Sequence, residues 1–436
     1  LRRELLAVTN VWDLPGEADY LAATKGAPEA IARLCRMNAA QHAELIASVD
    51  TLARQGIRVL AVARGQHARG SLPDSPLGLS FEFAGLLGLA DPLRESVPEA
   101  VRDCRSAGIR VVMITGDYPE TARAIAREAG IADGDVLTGQ ELDQLDDGAL
   151  SQRARHVTVF ARITPRQKLR IVEALKASDE IVAMTGDGVN DAPALKAAHI
   201  GIAMGGRGTD VAREASSIVL LDDDFGSIVE AIRLGRRIYD NLRKAMGYIL
   251  AIHLPIAGLA LLPVLLGGPL ILTPLLIAFL EAQRAEQNVM QRPPRHPANP
   301  LFSRALASWS ILQGTLALLI VTAVYLFATR KGLPQEDVRS VAFVALAGMN
   351  LALVFVNRSF RASLRETLGE PNTPLWWGLT LVVGMLTVLL AWPAARTFLG
   401  LGALQFEGLA LGLAAAFVLF VMLQLLKRAW APRLAM

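Results

Sequence analysis

The chain has 436 residues, more than one hydrophobic core normally organises, so two or more domains are expected. Its net charge of +3 is small, and it lacks a basic stripe interleaved with aromatic residues, which excludes a nucleic-acid partner. Its two cysteines, Cys35 and Cys104, argue against a disulfide framework and are typical of a reducing cytosol. Residues 1 to about 243 are charged and punctuated by glycine, whereas long apolar runs dominate from about Met246.

Strand–turn–helix units recur in the first half. A β-branched run ends in Thr115-Gly116-Asp117, and a second run ends in the longer string Thr185-Gly186-Asp187-Gly188-Val189-Asn190-Asp191. Strands are predicted at 110–114, 157–160, 180–184 and 200–203, and helices at about 119–129 and from the second turn through Ala198. This alternation predicts a parallel α/β sheet with its ligand site at the carboxyl ends of the strands.

The polar residues after these strands suit phosphate chemistry. Asp187, Asn190 and Asp191 place hard oxygen ligands on one turn, and Mg²⁺ prefers such ligands together with phosphate oxygens and water. Thr115 offers a hydroxyl to a phosphate oxygen, and Lys168 offers a positive charge to a transferring phosphoryl group. A lone Thr-Gly-Asp is more often only a turn. The string from 185 to 195, with Lys168 upstream, indicates a Mg²⁺ and phosphate site.

Apolar runs in the second half are long enough to cross a bilayer, which takes roughly 20 helical residues. Spans are predicted at about 246–266, 307–328, 375–395 and 405–426, with a shorter one at 339–357. The segment 270–280 rises only about 18 Å and is too short to cross unaided. Arginine and lysine are concentrated after Glu281, near 358–365 and at the C-terminus, so these segments and the soluble half are predicted to be cytosolic.

The motifs, in this order, resemble those of the P-type ATPases, specifically the calcium-pump-like branch in its bacterial form. The resemblance covers nearly the whole chain. The matching segments are Lys25-Gly26-Ala27-Pro28-Glu29, 56–61, Asp91-Pro92-Leu93-Arg94, 113–117, 185–196, 241–266 and Met290-Gln291-Arg292-Pro293-Pro294-Arg295.

The resemblance implies three parts. Residues 1–84 are expected to be the C-terminal part of an α+β nucleotide-binding domain. Residues 85–240 are expected to form an incomplete α/β haloacid-dehalogenase-like phosphorylation domain that lacks its first strand. Residues 241–436 are expected to be an all-α transmembrane bundle like the family's fifth to tenth helices, with the sixth shortened. The expected location is the plasma (inner) membrane, with residues 1–243 cytoplasmic.

The resemblance also implies ATP and Mg²⁺ as cofactors, and a transported cation and the lipid bilayer as partners. Site roles are carried over residue by residue. Lys25, Gly26 and Arg58 are expected to bind ATP; Thr115, Gly116 and Asp117 to line the phosphorylation site; Lys168 to steady the phosphate; Asp187 and Asp191 to bind Mg²⁺; and Asn190 and Asp191 to position phosphate and water.

Two polar residues within the predicted spans are candidates for the ion path. His253 stands near the expected position of an ion-facing residue, and an intramembrane histidine is by default a functional hypothesis. Because it precedes Leu254-Pro255, it could instead satisfy backbone carbonyls freed by the proline. Asn350, like Gln313, could be an ion ligand or an interhelical hydrogen-bond partner. A Ca²⁺-like ion is implied by the resemblance alone.

One part of the family pattern is not found. No aspartate in the chain begins the string Asp-Lys-Thr-Gly-Thr, which carries the phosphorylated nucleophile in the family. Covalent catalysis then has no acceptor. The chain is therefore expected to be a portion of an ATP-driven cation pump, inactive without a missing N-terminal portion. The alternative is a non-catalytic nucleotide- and Mg²⁺-binding membrane protein derived from such a pump.

Overall fold

The structure is a computed structural model that describes residues 5–131, 134–266, 288–296, 298, 300–358 and 373–434. The chain divides into two compact units, one of residues 1–231 and 290–293 and the other of residues 232–289 and 294–436. The first unit is built from strands and short helices, and the second is helical. An α/β portion followed by a helical portion is the fold class that the sequence predicts.

The strands of the described residues all lie in the first unit. They are β1 (Ala7–Trp12), β2 (Asp19–Gly26), β3 (Arg58–Ala68), β4 (Glu82–Leu89), β5 (Met113–Ile114), β6 (Asp135–Thr138), β7 (Val157–Ala161), β8 (Ala183–Gly186), β9 (Ile200–Met204) and β10 (Ile218–Leu220). The helices between them are α1 (Pro28–Leu34), α2 (Ala39–Ala53), α3 (Val97–Ser106), α4 (Pro119–Glu128), α5 (Gly139–Asp143), α6 (Asp147–Ala154), α7 (Pro165–Ala177), α8 (Ala192–Ala197) and α9 (Asp210–Ala215).

The first four strands form an antiparallel sheet in the order β1-β2-β3-β4. The sheet packs against α1 through a small core that includes Ile31, Ala61 and Phe81. Strand β4 pairs with β3 as far as Leu89, which lies opposite Arg58. The expected domain boundary between residues 84 and 85 therefore falls inside β4, and the sheet continues five residues beyond it.

The remaining strands form two parallel three-stranded sheets, in the orders β5-β7-β6 and β10-β9-β8. The sequence predicts one parallel sheet, whereas the structure has two. Strands β5 and β8 are edge strands of these two sheets and do not pair with each other. Ile114 and Val182 each pack against the hydrophobic cores of both sheets. The predicted strand 110–114 is shortened to Met113–Ile114, the two residues that pair with β7. Before it, the Arg110 guanidinium donates hydrogen bonds to the carbonyl oxygens of Ala154 and Val157, near the start of β7.

Long helices make up the second unit. They are α10 (Gly226–Leu266), α11 (Arg304–Arg330), α12 (Gln335–Asn357), α13 (Thr373–Ala391), α14 (Pro393–Leu399) and α15 (Phe406–Leu434). Helix α10 is 41 residues long and begins some twenty residues before the predicted span at 246–266. Its first half is rich in arginine, so hydropathy detects only the apolar second half. The short segment 270–280 and the expected deletion in the sixth helix lie outside the described residues.

The predicted span at 375–395 is wrong at its C-terminal end. Helix α13 ends at Ala391, and the chain bends by 88° into the short helix α14. Pro393 explains the break, because it has no N–H to donate and its ring clashes with the carbonyl four residues earlier. Four other helices among the described residues are each long and apolar enough to cross a membrane, or five spans if the bent pair counts as one.

Two buried polar contacts stabilise the second unit. Gln313 on α11 and Asn357 on α12 exchange side-chain hydrogen bonds of 3.2 and 2.7 Å, and both residues are fully buried. Gln313 is therefore an interhelical hydrogen-bond partner, one of the two alternatives that the sequence leaves open. The buried Lys427 on α15 donates to the carbonyl oxygen of Val356 at 3.1 Å, which satisfies an otherwise open acceptor at the end of α12.

Helices α10 and α11 approach each other closely at Gly314. A Cβ atom there would lie 2.5 Å from the Ala251 carbonyl oxygen and 2.8 Å from the Leu254 Cβ. The Ala251 carbonyl is the one that Pro255, four residues later, leaves without its helical donor. Small residues are common where membrane helices come this close.

We expect Gly314→Ala to lower the free energy of unfolding by about 1–3 kcal/mol, because both neighbours of the new methyl group are rigid. Gly384→Ala on α13 is the matched control, since a Cβ there meets open space. The thermal unfolding midpoint in detergent should fall for the first variant and hold or rise for the second. Equal midpoints for both variants would contradict this close packing.

Candidate functional site

The first Thr-Gly-Asp turn is fixed by hydrogen bonds at the carboxyl end of β5. The Thr115 hydroxyl donates to the Asp117 carboxylate at 2.9 Å and accepts from the Asp117 N–H at 3.1 Å. The Asp117 carbonyl accepts from the N–H of Arg162, which follows the adjacent strand β7. Arg162 has a φ of 57°, a left-handed conformation that is uncommon for a non-glycine residue and often marks a functional site.

A cavity of about 320 Å³ opens beside this turn, within the first unit. It is lined from the antiparallel sheet by Lys25, Gly26 and Arg58, and from the β5 turn by Gly116 and Asp117. The Arg58 Nε lies 3.3 Å from an Asp117 carboxylate oxygen, and the arginine side chain is 63% exposed. Five of the predicted site residues, contributed by separate segments, thus line one cavity.

Arg162 and Tyr118 also line this cavity and were not predicted as site residues. Arg162 makes a two-pronged ion pair with Glu29, at 2.9 and 3.0 Å, and its guanidinium lies 5.5 Å from the centre of the Tyr118 ring. Burial raises the pKa of the Tyr118 hydroxyl, the carboxylates of Asp50 and Glu29 raise it further, and the Arg162 guanidinium lowers it. The sequence feature that could have identified Arg162 as a site residue is its position directly after the buried strand β7.

A second group of predicted residues lies at the carboxyl end of β8. The Lys168 ammonium is 2.5 Å from a carboxylate oxygen of Asp191, and Asp191 is almost fully buried. Gly186 permits this arrangement, because a Cβ there would lie 2.6 Å from the Asp191 Cβ. Lys168 is held on the first turn of α7, where Thr164 and Gln167 form a capping box and Gln167 also bonds the Gly139 carbonyl.

Asp187 and Asn190 are exposed on the same turn. The Asp187 backbone carbonyl accepts from the Thr209 N–H at 2.8 Å, whereas its carboxylate has no hydrogen-bond or ion-pair partner in the described part of the chain. The described residues hold no cluster of three or more His, Cys, Asp or Glu side chains that could chelate a metal by themselves. A free carboxylate at a strand end fits Mg²⁺, provided that phosphate oxygens and water supply the remaining ligands.

The two candidates for the ion path differ in their surroundings. His253 is exposed on α10, and its Nδ1 lies 2.6 Å from the Ile249 carbonyl oxygen, one turn earlier in the same helix. That carbonyl is not the one freed by Pro255, which belongs to Ala251. Asn350 is fully buried on α12. The roles of both residues in ion transport stay predictions.

Comparison with known proteins agrees with this arrangement. Residues 6–199 and 168–232 match family models described as haloacid dehalogenase-like hydrolase, and residues 261–429 match one described as cation transporting ATPase, C-terminus. A calcium-transporting ATPase of Bacillus subtilis is 40% identical over 73% of this chain and 37% of its own length. Calcium-transporting ATPase 1 of Bacillus cereus is 32% identical over 98% of this chain and 52% of its own length. A probable cation-transporting ATPase F of Mycobacterium bovis is 37% identical over 79% of this chain and 41% of its own length.

The chain thus spans about half, or less, of the length of the curated relatives that it matches. Its apolar helices make it a multi-pass membrane protein. The hydrolase matches cover the α/β part, and the transporter match covers the helical part from residue 261 onward. The chain belongs to the P-type cation-transporting ATPases, on their calcium-pump-like branch.

Proposed function

We propose that these 436 residues bind ATP and Mg²⁺ and carry part of the ion path in an ATP-driven pump for a Ca²⁺-like cation. In the pump, ATP hydrolysis through an aspartyl phosphate drives cation transport across the plasma membrane. The observation that carries the proposal is that Lys25 and Arg58 line the same cavity as Gly116 and Asp117 of the β5 turn. Two cations beside one cavity can form charge-assisted hydrogen bonds with a nucleotide's phosphates.

Lys25 and Arg58 are proposed to bind the phosphate chain. The Lys25 ammonium is exposed and has no ion-pair partner within the ranges described, so its charge is available. Arg58 pairs with Asp117 at a largely exposed position, where an ion pair contributes at most about 1 kcal/mol. An incoming phosphate can therefore replace Asp117 as the partner of Arg58 at little cost.

Lys168, Thr115 and the β8 turn are proposed to act on the transferring phosphoryl group. Lys168 holds a positive charge near this group, and Asp191 keeps the lysine in place. Asp187 would hold Mg²⁺, with Asp191 and Asn190 positioning phosphate and water beside it. When bound, Mg²⁺ neutralises the charge that develops on the transferring phosphoryl oxygens.

The acceptor aspartate is proposed to lie in a further portion of the pump, outside these 436 residues. Strands β5 and β8 are both edge strands, and each ends in a Thr-Gly-Asp turn. This arrangement supports the hypothesis that residues 85–240 are a phosphorylation domain without its first strand. Residues 1–84 are proposed to belong to the nucleotide-binding domain, residues 241–436 to the transmembrane bundle, and residues 1–243 to the cytoplasmic side.

The second candidate function is a non-catalytic nucleotide- and Mg²⁺-binding membrane protein derived from such a pump. These 436 residues do not contain Asp-Lys-Thr-Gly-Thr, and its absence from the whole protein would favour this function. In that case the cavity and the β8 turn would bind Mg·ATP without transferring its phosphate. His253 and Asn350 would then have no transported ion to bind.

Labelling with γ-labelled ATP and Mg²⁺ separates the two functions. Native membranes and the purified chain are labelled and resolved on an acidic denaturing gel. We expect acid-stable label in the membranes on a polypeptide larger than 46.8 kDa, and none on the purified chain. Label on the purified chain would mean that one of its own aspartates is the acceptor. No acid-stable label in either sample would favour the non-catalytic function.

A further inference from the structure

A second cavity, of about 490 Å³, lies within the helical unit. It is formed where α11 ends and where α12 and α15 begin. Its inner wall is apolar and includes Phe327, Val341, Leu404 and Leu411. Its rim carries charged side chains from the same three helix ends: Lys331, Asp337 and Glu407. A volume of this size falls within the range of about 300–1,000 Å³ that is typical of small-ligand sites.

The cavity is held open by hydrogen bonds between the segment that precedes α15 and the first turns of α12. The Gly402 N–H donates to the Glu336 carbonyl at 3.0 Å, and its carbonyl accepts from the Ser340 hydroxyl at 3.1 Å. Ser340 is fully buried, so this contact is shielded from water. The segment from 400 to 405 is therefore anchored to α12 and forms a fixed side of the cavity.

The rim charges are not mutually neutralised. Lys331 lies 3.4 Å from Glu407, but their side chains are 53% and 83% exposed, so the pair is weak. The Asp337 carboxylate is partly buried and has neither an ion pair nor a side-chain hydrogen bond in the described ranges. The rim thus presents one positive and two negative groups, and only one of the negative groups has a partner.

The cavity has charged groups at its rim and apolar groups deeper inside, the same arrangement as at the edge of a bilayer. Helix α11 has 27 residues and is about 40 Å long, so its ends lie near the head groups of a bilayer whose hydrocarbon core is about 30 Å thick. The rim charges lie at such helix ends. Val341 and Leu411 come one turn further into their helices, at hydrocarbon depth. A ligand of this cavity must therefore have a charged head and an apolar body.

We propose that this cavity binds a membrane phospholipid whose zwitterionic head group carries a primary amine, as in phosphatidylethanolamine. The phosphate would lie at Lys331, and the ammonium would donate hydrogen bonds to Asp337 and Glu407. The cavity holds the head group and the upper part of one chain. The rest of the lipid lies along the exposed apolar face of α15, which includes Leu409, Leu413 and Phe417.

Lipid retention measured by native mass spectrometry tests this assignment. The full chain is purified in detergent, stripped of lipid and offered equal amounts of phosphatidylethanolamine and phosphatidylcholine. We expect the chain to retain the primary-amine lipid and Asp337→Asn to weaken that retention by about tenfold or more, because a charge-assisted hydrogen bond is lost. The matched control Glu336→Gln changes a neighbouring exposed carboxylate that does not line the cavity, and it should retain the lipid like the unmodified chain.

A steric variant keeps the test independent of charge. Ala414→Phe should fill the cavity and abolish retention, whereas Leu425→Phe, on an exposed position of α15 outside the cavity, should not. Equal retention of the two lipids, or undiminished retention in Asp337→Asn and Ala414→Phe, would overturn the proposal. So would displacement of the lipid by soluble phosphoethanolamine alone, because the site would then recognise a free solute rather than a lipid.

Discussion

Replacing Lys168 with methionine is expected to lower the free energy of unfolding by about 3–5 kcal/mol, because it leaves a buried carboxylate without its charged partner. Asp191 is only 6% exposed, and the Lys168 ammonium is 2.5 Å away. Denaturant titration of the full chain in detergent, followed through the unfolding of the α/β unit, measures the change.

Two further variants make this result specific. Lys176→Met, on the same helix, removes a lysine that bonds only the Ala197 carbonyl among the described residues, so it should cost about 1 kcal/mol. The double variant Lys168→Met/Asp191→Leu removes both charges and should regain most of the lost stability. If Lys168→Met proves as mild as Lys176→Met, the buried pair does not hold the β8 turn in place.

The second large effect is expected at Asp187. Asp187→Asn should weaken the binding of Mn²⁺, used as a spectroscopic stand-in for Mg²⁺, by more than about 100-fold in the presence of a non-hydrolysable ATP analogue. The physical reason is that Asp187 offers the one free carboxylate on this turn, and even supporting residues of metal sites contribute 10–100-fold to affinity. Electron paramagnetic resonance of free Mn²⁺ gives the affinity directly.

Asp179→Asn is the matched control for this measurement. Asp179 precedes β8 and Asp187 follows it, so the two carboxylates flank opposite ends of the same strand. Asp179 has a φ of 61°, a conformation that asparagine also tolerates, so the control should fold normally. A comparable loss of Mn²⁺ affinity in both variants, or in neither, would count against Asp187 as the metal ligand.

Much of the candidate site could be predicted, because the residues that carry it follow strands directly. Parallel strands end at one edge of a sheet, so Thr115, Asp117 and the 185–191 turn could be assigned to strand ends from hydropathy alone. Lys25 and Arg58 could not be assigned in that way, and only their resemblance to family motifs singled them out. The cavity brings them beside the β5 turn because β2 and β3 are neighbours in one antiparallel sheet.

Other features depend on contacts that local patterns do not encode. The Arg162–Glu29 ion pair joins residues 133 positions apart, and each alone looks like a solvated surface charge. The sequence did not predict that α10 begins at Gly226. Its first half is rich in arginine, so a measure of hydropathy detects only the apolar second half. The bend before Pro393 was not predicted, although its cause is local. The span at 375–395 was assigned from its apolar composition, and the helix-breaking effect of the proline was not considered.

Equilibrium binding of Mg·ATP to the purified chain tests the central claim, that one cavity uses Lys25 and Arg58 to hold the phosphates. Arg58→Ala should weaken binding by about tenfold or more, because a charge-assisted contact to phosphate is removed. Arg64→Ala, which lies further along β3 and pairs with Glu82 at 3.9 Å, should leave the affinity unchanged. Equal affinities for all three proteins would contradict the account, because the cavity would then not be the nucleotide site.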